Sequence, residues 1–240
     1  MKFRMLFAFA ITALVVVAAM PGWSATNSPQ TPPVFSDPTH IFNTYLPLTT
    51  LSQDILMGVH GKLSAETVRT RLQSTKEFVI DGQVVQALIM EDDNYEGGQL
   101  IEVAKDYFVQ DDAGNVYYMG EDVDEYKNGK IIGHTGAWLY GVDTTKLGII
   151  MPGQPKVGEK WMSENIPNLN IVEHDSAVST TATISVPAGT FHNCVETLEV
   201  VAKEGKEHKW YCPSVGTVME YTSDTDYVAL VSHTSNWSLP

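Results

Sequence analysis

Gln99-Leu100-Ile101-Glu102-Val103-Ala104-Lys105-Asp106-Tyr107-Phe108-Val109-Gln110 is followed by Asp111 to Asn115, Val116 to Tyr126, Lys127-Asn128-Gly129-Lys130 and Ile131 to Val142. Three runs rich in Val, Ile, Tyr and Trp are parted here by two turn signals. Asn128-Gly129 is the pair that a two-residue hairpin wants, because both central residues of a type I′ turn take positive φ. Asp112-Ala113-Gly114 suits a three-residue loop with Gly114 in the left-handed position. The stretch predicts a three-stranded antiparallel meander.

These turns imply a register. A two-residue turn sets Val123 opposite His134, Glu121 opposite Gly136, Met119 opposite Trp138 and Tyr117 opposite Tyr140. A three-residue loop sets Val109 opposite Tyr117, Tyr107 opposite Met119 and Lys105 opposite Glu121. Side chains alternate between faces. One face then carries Ile101, Val103, Tyr107, Val109, Tyr117, Met119, Val123, Ile132, Trp138 and Tyr140, and is the expected core side. The other carries Glu102, Asp106, Gln110, Asp122, Asp124 and Thr135, with Phe108, Tyr118 and Leu139 near one end. A slip of one residue would exchange the two faces.

On the apolar face Lys105, Glu121 and His134 fall together. They are either a polar floor able to orient a ligand, or a cross-strand ion pair at the wetter end of the sheet with His134 on its fringe. Beside them Trp138, Met119, Tyr117, Tyr140 and Tyr107 form an aromatic and thioether patch. An apolar pocket with a few convergent polar groups is a common ligand site. The candidate ligand-binding set is therefore Lys105, Met119, Glu121, His134, Trp138 and Tyr140, against the plainer reading of the same rings as packed core.

Outward from the meander, Met1 to about Ala25 reads as an export signal. Lys2 and Arg4 are its basic start, Leu6 to Met20 its apolar run, and Pro21 to Ala25 its small-residue exit. Residues 26–40 hold four prolines and read as an extended tether, and 41–240 as a single β-rich domain. Residues 53–73 read as strands paired across His60-Gly61-Lys62, and Asp81-Gly82 joins a further hairpin. After a loop-rich segment from Gly141 to Lys160 that contains the apolar clip Ile149-Ile150-Met151, a strand is expected at Trp161. Ser163 to Asp175 has no readable pattern, and Val178–Val186, Asn193–Lys203, His208–Met219 and Asp226–His233 read as four more strands. The expected fold is all-β and mostly antiparallel, a meander of about ten strands curled into a half-barrel or barrel with little helix.

Without the export signal the chain has 13 Lys and Arg against 29 Asp and Glu, a formal charge of −16. Such a surface repels nucleic acid and anionic membranes but permits cation binding. No segment after the signal is apolar over the ~20 residues that a spanning helix needs. Cys194 and Cys212 sit on strands joined around Gly205, roughly symmetric about that turn, so an exported chain is expected to bridge them. The seven histidines lack metal-site spacing, and the acids at 111–112 and 121–125 do not match a calcium loop. No nucleophile elbow, phosphate-binding glycine loop or cofactor motif is present, so no catalytic residue, metal ligand or cofactor is assigned.

Asp112-Ala113-Gly114-Asn115-Val116-Tyr117-Tyr118, Gly120-Glu121-Asp122-Val123-Asp124, Asn128-Gly129-Lys130 and Gly148-Ile149-Ile150-Met151-Pro152 form a signature. With these pieces the chain resembles a group of bacterial exported β-rich proteins of uncharacterised activity. The resemblance implies a self-contained periplasmic or secreted domain and supplies no catalytic residues. Three functions are compatible with the sequence. The first is a non-enzymatic extracytoplasmic protein binding a small apolar or amphipathic molecule inside the curled sheet. The second is an envelope interaction or assembly protein that docks a protein partner. The third is a hydrolase-type enzyme using His134 and Glu121.

Overall fold

The computed structural model of the protein describes residues 32–201 and 205–235. The expected export signal, residues 1–25, lies outside the described residues. Strands β1 (Leu51–His60), β2 (Leu63–Ile80), β3 (Gln83–Glu96), β4 (Gln99–Gln110), β5 (Val116–Lys127) and β6 (Lys130–Gly133) form a first meander. Two short strands, β7 (Trp138–Leu139) and β8 (Gly148–Met151), follow. A second meander runs through β9 (Lys160–Ile166), β10 (Ile171–Val186), β11 (Gly189–Val201), β12 (Gly205–Cys212), β13 (Gly216–Ser223) and β14 (Asp226–Ser235). The only helical element among the described residues is a 3₁₀ turn at Pro167–Leu169. None of their helices is long and apolar enough to cross a membrane.

Every hairpin is local, and one pairing joins the two meanders. The sheet runs β6-β5-β4-β3-β2-β1-β14-β13-β12-β11-β10-β9, with β1 against β14 in its middle. The expected all-β antiparallel meander is thus present, as a curled sheet that does not close into a complete barrel. Fourteen strands replace the expected ten or so, chiefly because β7, β8 and the region after Ser163 add pairing. Ser163 to Asp175 is unreadable in sequence for a physical reason. Ser163, Glu164, Glu173 and Asp175 are all buried, so polar residues interrupt the buried apolar positions Trp161, Ile166, Ile171 and Ala177 of β9 and β10 and the apolar alternation is lost.

The two ends of the sheet are brought together by side chains and by close backbone approach. Strands β7 and β8 pair with the edge of β5 that β4 leaves open. Gly148 in β8 lies so near β9 that a Cβ there would sit 1.8 Å from the Ser163 carbonyl oxygen. The Trp138 indole N–H in β7 donates to Glu164 Oε1 in β9 at 2.9 Å, with both residues buried.

One end of the curled sheet is covered by the segment before β1. Residues 32–40, expected as a tether, are fastened there: Asp112 and Gln110 donate backbone hydrogen bonds to the Val34 and Pro38 carbonyls, and Phe35 is buried. Asn43 Nδ2 donates to the Gly114 and Pro152 carbonyls at 2.9 and 3.0 Å. Ile41, Leu46 and Leu48 then pack on Leu88, Met90, Val116, Met151 and Tyr211.

Cys194 and Cys212 are bridged across β11 and β12, beside the pair Val195 and Tyr211. The bridge closes a loop of 18 residues. Its entropy in the unfolded chain corresponds to roughly 3 kcal/mol. The Cys194→Ser, Cys212→Ser double variant should lose about that much stability in urea titrations. Its far-ultraviolet circular dichroism should not change.

Candidate functional site

The site begins with a bulge. Val109 faces Tyr117 as expected, and Phe108 faces Tyr118, but Asp106 faces Glu121. Met119 and Gly120 therefore oppose Tyr107 alone, an extra residue that shifts the register by one. Gly120 makes this possible with a φ of 118°, and a Cβ there would meet the Trp138 carbonyl oxygen at 2.2 Å. Beyond the bulge every side chain of β5 changes face.

The expected polar trio is consequently dispersed. Lys105 pairs with Asp122 in register, and its ammonium lies 3.6 Å from Glu91. His134 follows the end of β6, so it is not held over Glu121. Its Nδ1 lies 2.8 Å from the Val123 carbonyl oxygen and 3.0 Å from Asp124, with the side chain 65% exposed. Glu121 turns inward with Asp106 and is buried. Trp138 pairs with Glu121, not Met119, and so shares its face. Met119 and Tyr140 are buried in a core with Tyr107, Tyr117, Phe35 and Phe78. Of the six candidate ligand-binding residues, the fold brings Glu121 and Trp138 to one face and separates Lys105 and His134 from them.

Inside the curl lies a cavity of about 150 Å³. Its apolar end is formed by Leu46, Leu48, Met90, Phe108, Ile150 and Tyr211. Its polar end is formed by inward positions of neighbouring strands: Arg69 from β2, Asp92 and Asn94 from β3, and Glu102 and Asp106 from β4. Glu121 from β5, Glu207 and Lys209 from β12 and Glu220 from β13 complete it. Phe108 and Tyr118 stack at 5.2 Å between centroids, and Tyr118 meets Trp138 edge-on at 5.5 Å.

Both cations of the lining are engaged by carboxylates. The Arg69 guanidinium donates to both oxygens of Asp92, at 3.0 Å from Nε and 2.7 Å from Nη2, with Glu220 at 3.5 Å. The Lys209 ammonium lies 2.6 Å from Glu199 and 3.3 Å from Glu207. Two further carboxylates receive neutral donors. Asn94 Nδ2 donates to Glu102 at 3.1 Å, and the Tyr118 hydroxyl donates to Asp106 at 2.5 Å. Burial, reinforced by Glu121, Asp106 and Asp92 and opposed by the Asn94 hydrogen bond, pushes Glu102 up to about 8. Burial, then Glu121 and Asp92, also holds Asp106 well above the usual carboxylate range. Among the described residues no three His, Cys, Asp or Glu side chains are placed to hold a metal ion.

The sequence places Glu102 and Asp106 on a solvent face and does not single out Arg69, Asp92, Asn94 or Lys209. The available signal is the polar run Asp92-Asn94 on β3, aligned in register with Ala104 and Glu102 on β4. No protein family, curated protein or solved structure matches the chain.

Two outcomes follow from these positions. Trp138→Ala should destabilise by ~3 to 5 kcal/mol, as truncation of a buried aromatic does. His134→Ala, at an exposed position, should stay within ~0.5 kcal/mol of the parent in the same denaturant titration.

The raised Glu102 also has a sign. A carboxyl whose folded value exceeds its unfolded value favours folding below the unfolded value, and that contribution is lost as pH rises through the folded one. Melting temperature should therefore climb as pH is lowered from about 8 toward 4.5, the ordinary Glu value. Glu102→Gln should flatten this climb. Equal slopes in parent and variant, read by scanning fluorimetry, would show that other groups carry it.

Proposed function

We propose that the protein is an exported, non-enzymatic binding protein that holds a small amphipathic molecule within its curled sheet. The observation that carries the reading is the division of one internal cavity into an apolar end and a densely polar end. A water-filled crevice would gain nothing from Leu46, Leu48 and Ile150 at one wall, and a packed core would not accommodate six carboxylates at the other. The volume bounds the occupant. A cavity of about 150 Å³ takes a molecule of roughly benzene size, so a whole lipid is too large. Export is supported by the basic and apolar leader at residues 1–25 and by the disulfide, which oxidising compartments preserve. Catalysis through His134 and Glu121 has no shared site to support it, because His134 lies against Asp124 and Glu121 lines the cavity.

The reading is tested by native mass spectrometry of the mature protein beside Ala104→Leu. Ala104 is buried and lines the cavity, so a larger side chain there fills it. The expected result is a small-molecule adduct, native or added, on the parent and its loss in the folded variant. A parent that retains nothing and takes up no added amphiphile would overturn the proposal.

A further inference from the structure

We propose that the polar end of the cavity selects a protonated amine, so that the ligand class is a short alkyl or arylalkyl ammonium. This rests on the binding-protein reading above and adds the charge of the ligand to it. The lining carries six carboxylates, Asp92, Glu102, Asp106, Glu121, Glu207 and Glu220, against two cations, Arg69 and Lys209. Arg69 is occupied by Asp92 and Glu220, and Lys209 by Glu199 and Glu207. Among the described residues the lining holds no third cation, and Arg69, whose charge also reaches Asp106, is hydrogen-bonded to Asp92. The donors to Glu102 and Asp106, Asn94 and Tyr118, are neutral, and an ionised carboxylate accepts about four hydrogen bonds.

Asp92 and Glu220 share Arg69, and Glu199 and Glu207 share Lys209, so an anionic head meets net negative charge even where Glu102 and Asp106 hold their protons, and a neutral head leaves that charge unmatched. An ammonium presents three donors and one positive charge, the complement of a carboxyl cluster in which Glu121 stands directly across from Asp106 and Glu102 follows on the same face of β4. A bare metal ion is a poorer fit, since among the described residues no three potential ligands converge and the other end of the cavity is apolar. Burial raises the proton affinity of Glu102 and Asp106, so an arriving ammonium, whose charge stabilises the ionised form, should expel a proton.

Hexylamine, hexanol and hexanoate share one apolar portion and differ in charge, so isothermal titration calorimetry of the mature protein at pH 7.5 separates the cases. The expected result is hexylammonium at least ~10-fold tighter than hexanol, with hexanoate weakest. Its apparent enthalpy should depend on the buffer's ionisation enthalpy, reporting proton release. In Glu102→Gln, Asp106→Asn the amine preference should fall to within about twofold, with hexanol binding kept. Glu102→Gln alone serves should the double variant fail to fold by circular dichroism.

Hexanol or hexanoate binding as tightly as the amine in the parent protein would overturn the amine assignment and leave the binding-protein reading standing. An amine preference unchanged in the variants would remove it from Glu102 and Asp106. No binding by any of the three, together with no adduct in mass spectrometry, would overturn both.

Discussion

A curled sheet that does not complete its ladder must be held at its seam, and here the seam is the contact between β7–β8 and β9. The buried Trp138 indole donates to the buried Glu164 carboxylate, and Gly148 allows the backbones to touch. Nothing in that contact would align without the bulge at Met119-Gly120. The bulge lets the Trp138 backbone press against Gly120 and puts the indole on the inner side with Glu121. One glycine conformation thus fixes both how the sheet meets itself and which acid enters its interior. Bulges re-aim side chains in this manner wherever a strand must bend sharply.

The interior that results is unusual in its polarity. Charged groups are costly to bury unless paired or neutralised. The protein uses both routes: bidentate Arg69–Asp92 and the Lys209 contacts supply pairing, while burial raises the affinity of Glu102 and Asp106 for their protons. Apolar residues in their place would stabilise the fold more simply.

The architecture was largely legible in the sequence because hairpins are local. Asn128-Gly129 and Asp81-Gly82 each carry the positive φ values of a two-residue turn, and Cys194 and Cys212 lie opposite each other across a third hairpin. The site was legible only in part. Turn chemistry fixes register near the turn, at Val109 and Tyr117, but it does not report an extra residue farther along. Past Gly120 the faces of β5 exchange and Glu121 joins Glu102 and Asp106, whose acid-rich face reads as solvent-facing in the sequence but lines the cavity. Inward acids in β9 and β10 hid those strands in the same way, since the alternation that marks a strand assumes an apolar inside.

The placement of β1 against β14 orders the assembly of the chain. Each meander can zip from its own turns, but the two can join only after Asp226–Ser235 is present, about 170 residues behind its partner strand. Until then Leu51–His60 offers an open edge, a template for pairing with another chain. A nascent chain delivered from its N-terminus therefore spends nearly its whole synthesis with that edge unguarded. Any factor that attends its folding has its clearest task there, and the final ten-residue strand acts as the latch.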